Sequence, residues 1–396
     1  MLIALVAVVL LGRDTEDERA SAPAGTAFYE PSAQVVAAGD HGSLIWSRRV
    51  VSGPTIGGHT HLLLYRSTSA KGETVAVSGV VSVPTGDPPE GGWPVISWGH
   101  GTTGTADRCA PSRMAVDAQT GVYAASMDTM TAGLVDEGYA VLRTDYEGLG
   151  TPGPHPYLMG QSSGAAMTDI VLAARELAPL STDWVAMGHS QGGQAALFTS
   201  RFTGAYSPGV DLRGIVALAP PSQLGPVVDM LGGDRPATAQ EQDAQKGAGS
   251  SAAFLGPLLV SAAHVAEVPL EEVLDAQGMA LLPHLEQRCI AELFAQDSFG
   301  GTRVDELLTP DADLAALRRV VGTNDAAEVH PQVPVMLVQG MEDTTVPPLL
   351  SDRLAEQYRE RGTDLDYVTV PGADHISMLS EAAPGVRAWV QGVFDG

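Results

Sequence analysis

The chain is poor in cysteine, in lysine and in charge. Its 396 residues include two cysteines, two lysines (Lys71 and Lys246) and 17% charged side chains, below the usual quarter. Cys109 and Cys289 alone are too few for a zinc site of the ordinary spacing. Basic residues number 22 against 47 acidic ones, a formal net charge of −25. A surface of that sign repels phosphates, which argues against nucleic acid and anionic membranes as partners. After the first dozen residues no stretch approaches the about 20 apolar residues of a transmembrane helix. What the chain does have is 44% hydrophobic residues, enough to bury a core and to exclude intrinsic disorder.

At about 150 residues per domain, the length allows two or three domains, or one large domain with an insertion. Residues 2–11 are an unbroken apolar run, too short to span a bilayer but suited to the apolar segment of a signal peptide. Ala20-Ser21-Ala22 resembles a small-residue cleavage site. Export is therefore expected, with residues 1–25 as leader and linker and no stable membrane insertion after its removal. Residues 13–35, charged and then rich in Ala, Pro, Gly and Ser, read as linker. The compartment decides the cysteines: two buried thiols in a reducing one, a single disulfide across 180 residues outside the cell.

Residues 62–65 and 75–83 read as strands joined by a turn at Ser69-Ala70-Lys71-Gly72. Strands and helices then alternate. Strands are expected at 93–98, 139–144, 184–187 and 214–218, and helices at 114–137, 165–177 and 195–202. That rhythm predicts a mostly parallel sheet flanked by helices. Residues 222–312 break it with apolar helical patterns and no convincing strand, as an inserted helical cap would; 236–253 reads as a flexible loop. The alternation resumes with a strand at 335–338, a helix at 349–361, a strand at 367–370 and a last helix near 386–394. The division is thus a core of 26–221 and 313–396 with a cap at 222–312.

G-x-S-x-G occurs twice, at Gly160-Gln161-Ser162-Ser163-Gly164 and at Gly188-His189-Ser190-Gln191-Gly192. Only the second lies between an expected strand and an expected helix, where a sharp turn lifts a nucleophilic serine above the sheet edge. Ser162 follows a loop and reads as the start of a helix. A serine hydroxyl needs a base oriented by an acid, in the chain order Ser, acid, His. Of the histidines after Ser190, His264 and His284 fall in the cap and His330 precedes a strand. His375 follows the last strand and is the candidate base. Asp343, in the loop after strand 335–338, is the candidate acid, preferred over Glu342, Asp374 and Asp145. The oxyanion of the tetrahedral intermediate needs two N–H donors. Gln191 supplies one, and Thr102, with Gly101 as alternative, the other, from the loop Gly99-His100-Gly101-Thr102-Thr103-Gly104. His59 and His61 share a strand face as metal ligands might, but no third ligand is evident and no metal is expected.

These motifs, with Asp145-Tyr146-Glu147-Gly148-Leu149-Gly150, Gly340-Met341-Glu342-Asp343 and Asp374-His375, resemble the secretory lipase family, lipase A type, of the α/β-hydrolases, from about Phe28 to the C-terminus. The resemblance implies an α/β-hydrolase fold with a helical cap and an exported serine hydrolase of acylglycerols and other carboxylic esters, needing no cofactor. A carboxylesterase or polyester hydrolase of short or aromatic esters is the alternative enzyme. A non-catalytic ligand-binding hydrolase fold is the alternative of another class. Cap leucines at helical spacing, Leu258 and Leu259 among them, read first as core, and with Phe254 they could also shelter an acyl chain.

Overall fold

A computed structural model describes residues 22–50, 57–113, 121–231, 252–310 and 312–396. Nine strands form one sheet: β1 (Leu44–Val50), β2 (His59–Thr68), β3 (Thr74–Val83), β4 (Trp93–Gly99), β5 (Ala140–Thr144), β6 (Leu180–His189), β7 (Asp211–Leu218), β8 (Val335–Gly340) and β9 (Leu365–Val370). Their order is β1-β2-β3-β5-β4-β6-β7-β8-β9. β1 to β3 form an antiparallel meander, β3 pairs antiparallel with β5, and the other pairs are parallel. The central strands are apolar on both faces because helices cover both. One face packs Tyr65, Leu142, Trp184 and Ile215 against helices Gly160–Ala174, Gln191–Phe198 and Pro348–Glu360. The other packs Trp98, Val185 and Val216 against Gly121–Asp136 and Met378–Asp395. All six parallel strands end at one edge of the sheet, where α/β proteins place their ligands.

Between β7 and β8 the described residues form helices, including Leu224–Leu231, Ala252–Ala266, Ala276–Gln287 and Ala315–Thr323. They share a separate apolar cluster in which Leu258, Leu259, Leu293 and Phe299 are buried. The apolar leader run, most of the 236–253 segment and the first residues of the 114–137 helix lie outside the described residues.

Several elements differ from the sequence reading. The helix expected at 165 begins at Gly160. Gly160 and Gly164 look like loop residues, but a Cβ at either would stand 2.4 or 2.8 Å from Phe198, so small residues let two helices touch there. Edge strand β1 carries Arg48 and Arg49, and helix Ala315–Thr323 is short; neither has a strong sequence signal. Within the supposed linker, Phe28 and Tyr29 are buried against Trp46, Leu62 and Leu64. Trp46 Nε1 donates to the Phe28 carbonyl at 3.0 Å. Residues after 22 are therefore a cover for the antiparallel meander, whose outer face would otherwise be wet. We expect Phe28→Ala to lower the unfolding free energy by about 3–5 kcal/mol, as for other buried phenylalanines. In urea titrations Glu30→Ala should shift it by less than about 0.5 kcal/mol; equal effects would refute the anchoring role.

Candidate active site

β6 ends at His189 and a helix starts at Gln191, leaving Ser190 alone in the turn with φ 55° and ψ −120°. A non-glycine residue at positive φ is strained and persists only where its surroundings enforce it. Here they do so through the backbone. A Cβ on Gly188 would lie 2.1 Å from the Gly192 carbonyl oxygen, and one on Gly192 1.9 Å from that of Gly99. Both motif glycines are thus required by close approach between β4, β6 and the helix start. Ser190 N–H donates to the Leu218 carbonyl at 2.8 Å, and the Ser190 carbonyl accepts from Gly193 and Gln194.

The other motif serine has a different role. Ser162 is buried in the first turn of its helix, and its hydroxyl donates to the Glu147 carboxylate. Glu147 also accepts the Ala70 N–H at 2.9 Å, so Ser162 ties its helix to the loop after β5, and Glu147 ties that loop to the sheet meander.

His375 and Asp343 meet in the loops after β9 and β8. His375 Nδ1–H donates to Asp343 Oδ2 at 2.7 Å, which leaves Nε2 as the basic nitrogen. Asp343 is buried. Its Oδ1 accepts the N–H groups of Thr345 and Val346, each at 2.8 Å, and Oδ2 also accepts Gln339 Nε2 at 3.2 Å. Glu342 is exposed. Asp374 accepts the N–H groups of Ile376 and Ser377, and Asp145 accepts hydroxyls from Ser78 and Ser112. None of these three carboxylates contacts the imidazole of His375. Ser190 Oγ has no hydrogen-bond partner among the described residues; in ligand-free sites the nucleophile–base bond is often long and tightens with substrate.

Ser190 and His375 line one cavity of about 350 Å³. Phe254, Ile290, Ala291 and Phe294, from the segment between β7 and β8, form an apolar wall. Leu258 and Leu259 are core residues of the helical cluster, as their spacing suggested, and do not line the cavity, so they do not shelter a chain there. Arg143, Asp128 and Asp145 make a polar patch that the sequence did not suggest, with Arg143 paired to Asp128 at 3.1 Å. Burial raises the carboxyl pKa of both Asp128 and Asp145.

Of the candidate oxyanion donors, Gln191 opens a helix, where a backbone N–H lacks an intrahelical acceptor. Gly101 N–H is already taken, donating to Tyr123 Oη at 2.5 Å. Thr102 lines the cavity, its hydroxyl bonded to Tyr157 at 2.8 Å. Tyr123 and Tyr157 carry no motif, and only the structure brings them here.

The candidate oxyanion loop is bonded to the helical segment. Gly104 bridges Cys289, Ile290 N–H donates to the Thr103 carbonyl at 2.8 Å, and Thr105 Oγ1 donates to that of Leu285 at 2.7 Å. Arg108 donates to the Gln287 carbonyl and to Glu292. Cys109 and Cys289 are joined as a disulfide with Cα atoms 5.5 Å apart. Of the two fates open to the cysteines, the bridge is the one present.

The strand order, the serine in its strained strand-to-helix turn and the acid–histidine pair at the same sheet edge define an α/β-hydrolase. Residues 113–396 match the family model described as "Secretory lipase", most of the chain, and the protein belongs to that family. A probable inactive lipase of Mycobacterium tuberculosis (strain CDC 1551 / Oshkosh) is 26% identical over 345 residues, 84% of this chain and 73% of the relative. Candida antarctica lipase A in its closed state superposes with a TM-score of 0.74 at 19% identity, covering 95% of this chain and 88% of that one. The rice cell wall degrading esterase LipA from Xanthomonas oryzae superposes at 0.69 and 21% identity, covering 89% and 99%. Among the described residues no helix is long and apolar enough to cross a membrane, and no group of three or more His, Cys, Asp or Glu is placed to hold a metal ion. His59 Nδ1 instead lies 3.2 Å from Arg49 Nη2.

The disulfide closes a long loop, so Cys109→Ser combined with Cys289→Ser should lower the unfolding free energy by about 2–5 kcal/mol. Guanidinium titration of bridged and mutant protein measures it; a loss below ~1 kcal/mol would show that the hydrogen bonds of residues 103–105 hold the segment unaided.

Proposed function

We propose that the protein is an exported serine hydrolase of carboxylic esters, acting most readily on acylglycerols with medium to long acyl chains. The observation that carries this reading is the Asp343–His375 bond at the wall of a largely apolar cavity that also contains Ser190. Ser190 Oγ attacks the ester carbonyl while His375 Nε2 takes its proton. Asp343, saturated with hydrogen bonds, fixes the imidazole tautomer and balances the imidazolium. The N–H groups of Gln191 and Thr102 receive the oxyanion, and the occupation of Gly101 by Tyr123 favours Thr102 of the two candidates. The imidazolium then protonates the leaving alcohol, the acyl-enzyme forms, and water activated by the same histidine releases the acid. Every group in this sequence comes from the chain itself. One relative is named a probable inactive lipase; the presence here of serine, acid and base on one sheet edge supports activity in this protein.

The acyl chain is assigned to the wall of Phe254, Ile290 and Phe294, which belongs to the proposed cap of residues 222–312. Burying a methylene there contributes about 0.8 kcal/mol, so four extra methylenes would favour a longer chain over acetate by about a hundredfold in kcat/KM if the contact is kept in the transition state. Export is supported by the apolar leader run, the disulfide and the family's name.

Three measurements on purified protein test this. A fluorophosphonate should label Ser190, and Ser190→Ala should lower kcat by about 10⁴–10⁶; unimpaired hydrolysis by folded Ser190→Ala would overturn the mechanism. An acyl series from C2 to C18 should rise above acetate, and Ala291→Trp should shorten the preferred chain while sparing acetate. A profile that peaks at acetate would make the protein a carboxylesterase of short esters.

A further inference from the structure

Three hydrogen bonds with only one consistent direction run behind the reacting atoms. His189 Nε2 lies 2.8 Å from the His375 carbonyl oxygen, which can only accept, so Nε2 carries the proton. Full burial disfavours a second proton on this ring and keeps it neutral. Its Nδ1 is then an acceptor and takes the hydroxyl proton of Tyr123, 3.3 Å away. The Tyr123 oxygen, having donated, accepts the Gly101 N–H at 2.5 Å. The series is Gly101 N–H to Tyr123 Oη–H to His189 Nδ1, then His189 Nε2–H to the His375 carbonyl. It joins the loop after β4, helix Gly121–Asp136, the residue preceding Ser190 and the loop carrying His375. The rings of His189 and His375 lie 4.5 Å apart. Gly101 packs directly against this pair, with no room for a side chain, since a Cβ there would stand 2.5 Å from Tyr123 Oη and 3.1 Å from His189 Nδ1.

We propose that Tyr123 and His189 are positioning residues for ester hydrolysis: they hold the Gly101 N–H away from the oxyanion so that Thr102 N–H faces it, and they fix the main chain of His375 at its distance from Ser190. This rests on the triad and donor roles assigned above. Neither side chain exchanges a proton with substrate. Without the Tyr123 hydroxyl, Gly101 N–H and His189 Nδ1 both lose their partner, and the oxyanion loop and the histidine loop can move independently. The effect belongs to the transition state, where the oxyanion exists, and not to ground-state binding.

The test uses the disulfide-bonded full chain, Tyr123→Phe, His189→Gln, which keeps a donor but displaces the acceptor, and the double variant. Active sites are counted with a fluorophosphonate, and kcat and KM for a p-nitrophenyl ester are expressed per titrated site. Affinity for an alkyl boronic acid, which forms a tetrahedral adduct on serine, is measured alongside. Each single variant is expected to lose about 10–100-fold in kcat, the scale of a misplaced group or a weakened oxyanion donor. KM should stay within about threefold and boronate affinity should fall in step with kcat. The double variant should be no more than about threefold worse than the poorer single, because both break one series. Tyr206→Phe, which removes a hydroxyl bound to Asp169 outside the cavity lining, should leave kcat unchanged. A single variant with kcat per site within twofold of the parent overturns the proposal, as does a double variant whose loss is the product of the two. If Tyr123→Phe does not fold, His189→Gln decides alone. Failure of the parent protein to label or to cleave any ester overturns the hydrolase reading itself, whereas an active parent matched by Tyr123→Phe overturns only this inference.

Discussion

Everything at this sheet edge depends on how closely three backbone segments approach one another. Gly99 ends β4, Gly188 lies near the end of β6 and Gly192 is in the first turn of the helix that follows. Their main chains touch at distances that leave no room for a Cβ. That contact forces the chain to reverse within one residue, which is why Ser190 sits at φ 55°. The same contact sets the candidate oxyanion loop, because His100, Gly101 and Thr102 continue directly from Gly99. An alanine at Gly192 would therefore displace Ser190 and the loop after β4 together. The conformational freedom of glycine matters little here; its missing side chain matters a great deal.

The second constraint is covalent and acts from above. Residues 103–109 are joined to 285–292 by backbone bonds, by Arg108 and by the disulfide, so the segment that walls the cavity cannot move without pulling on the oxyanion loop. Thr102 is held from a third direction by Tyr157, whose own N–H donates to Ser261 Oγ in helix Ala252–Ala266 at 2.9 Å. The cavity wall and the donor loop are thus one mechanical unit, although they are some 180 residues apart in sequence.

What could be read from the sequence was whatever has a local signal. Buried parallel strands announce themselves as apolar runs, and the alternation with helices gives the fold class. Strand-to-helix context separates Ser190 from Ser162, and chain order singles out Asp343 and His375, which the structure brings into contact. The illegible parts are those whose reason lies in a distant partner. Gly160 looks like a loop until Phe198 is placed against it. Phe28 and Tyr29 look like linker until β1 supplies Trp46. Tyr123 is 22 residues from Gly101 and 66 from His189, with nothing in its neighbourhood to mark its hydroxyl. Arg143 and Asp128 sit on a strand and a helix whose patterns speak only of core.

Four histidines gather at this edge, and their surroundings divide the work among them. His100 donates Nδ1–H to the Gly101 carbonyl at 2.7 Å, and burial pulls its pKa down to about 4. His155 donates to the Glu147 carbonyl at 2.8 Å and accepts from the Gln191 side chain at 3.0 Å, with its pKa likewise pulled down to about 4 by burial. His189 is also kept neutral. A buried neutral imidazole offers one donor and one acceptor in fixed directions, which lets His155 and His189 tie separate segments together and makes all three rings poor sites for positive charge. Of the four, only His375 has a carboxylate on one nitrogen and the cavity beside it. That arrangement suits the base of the proposed mechanism, while the His155 and His189 rings bridge separate loops. In the proposed mechanism, surroundings alone separate scaffold from base within one cluster of identical side chains.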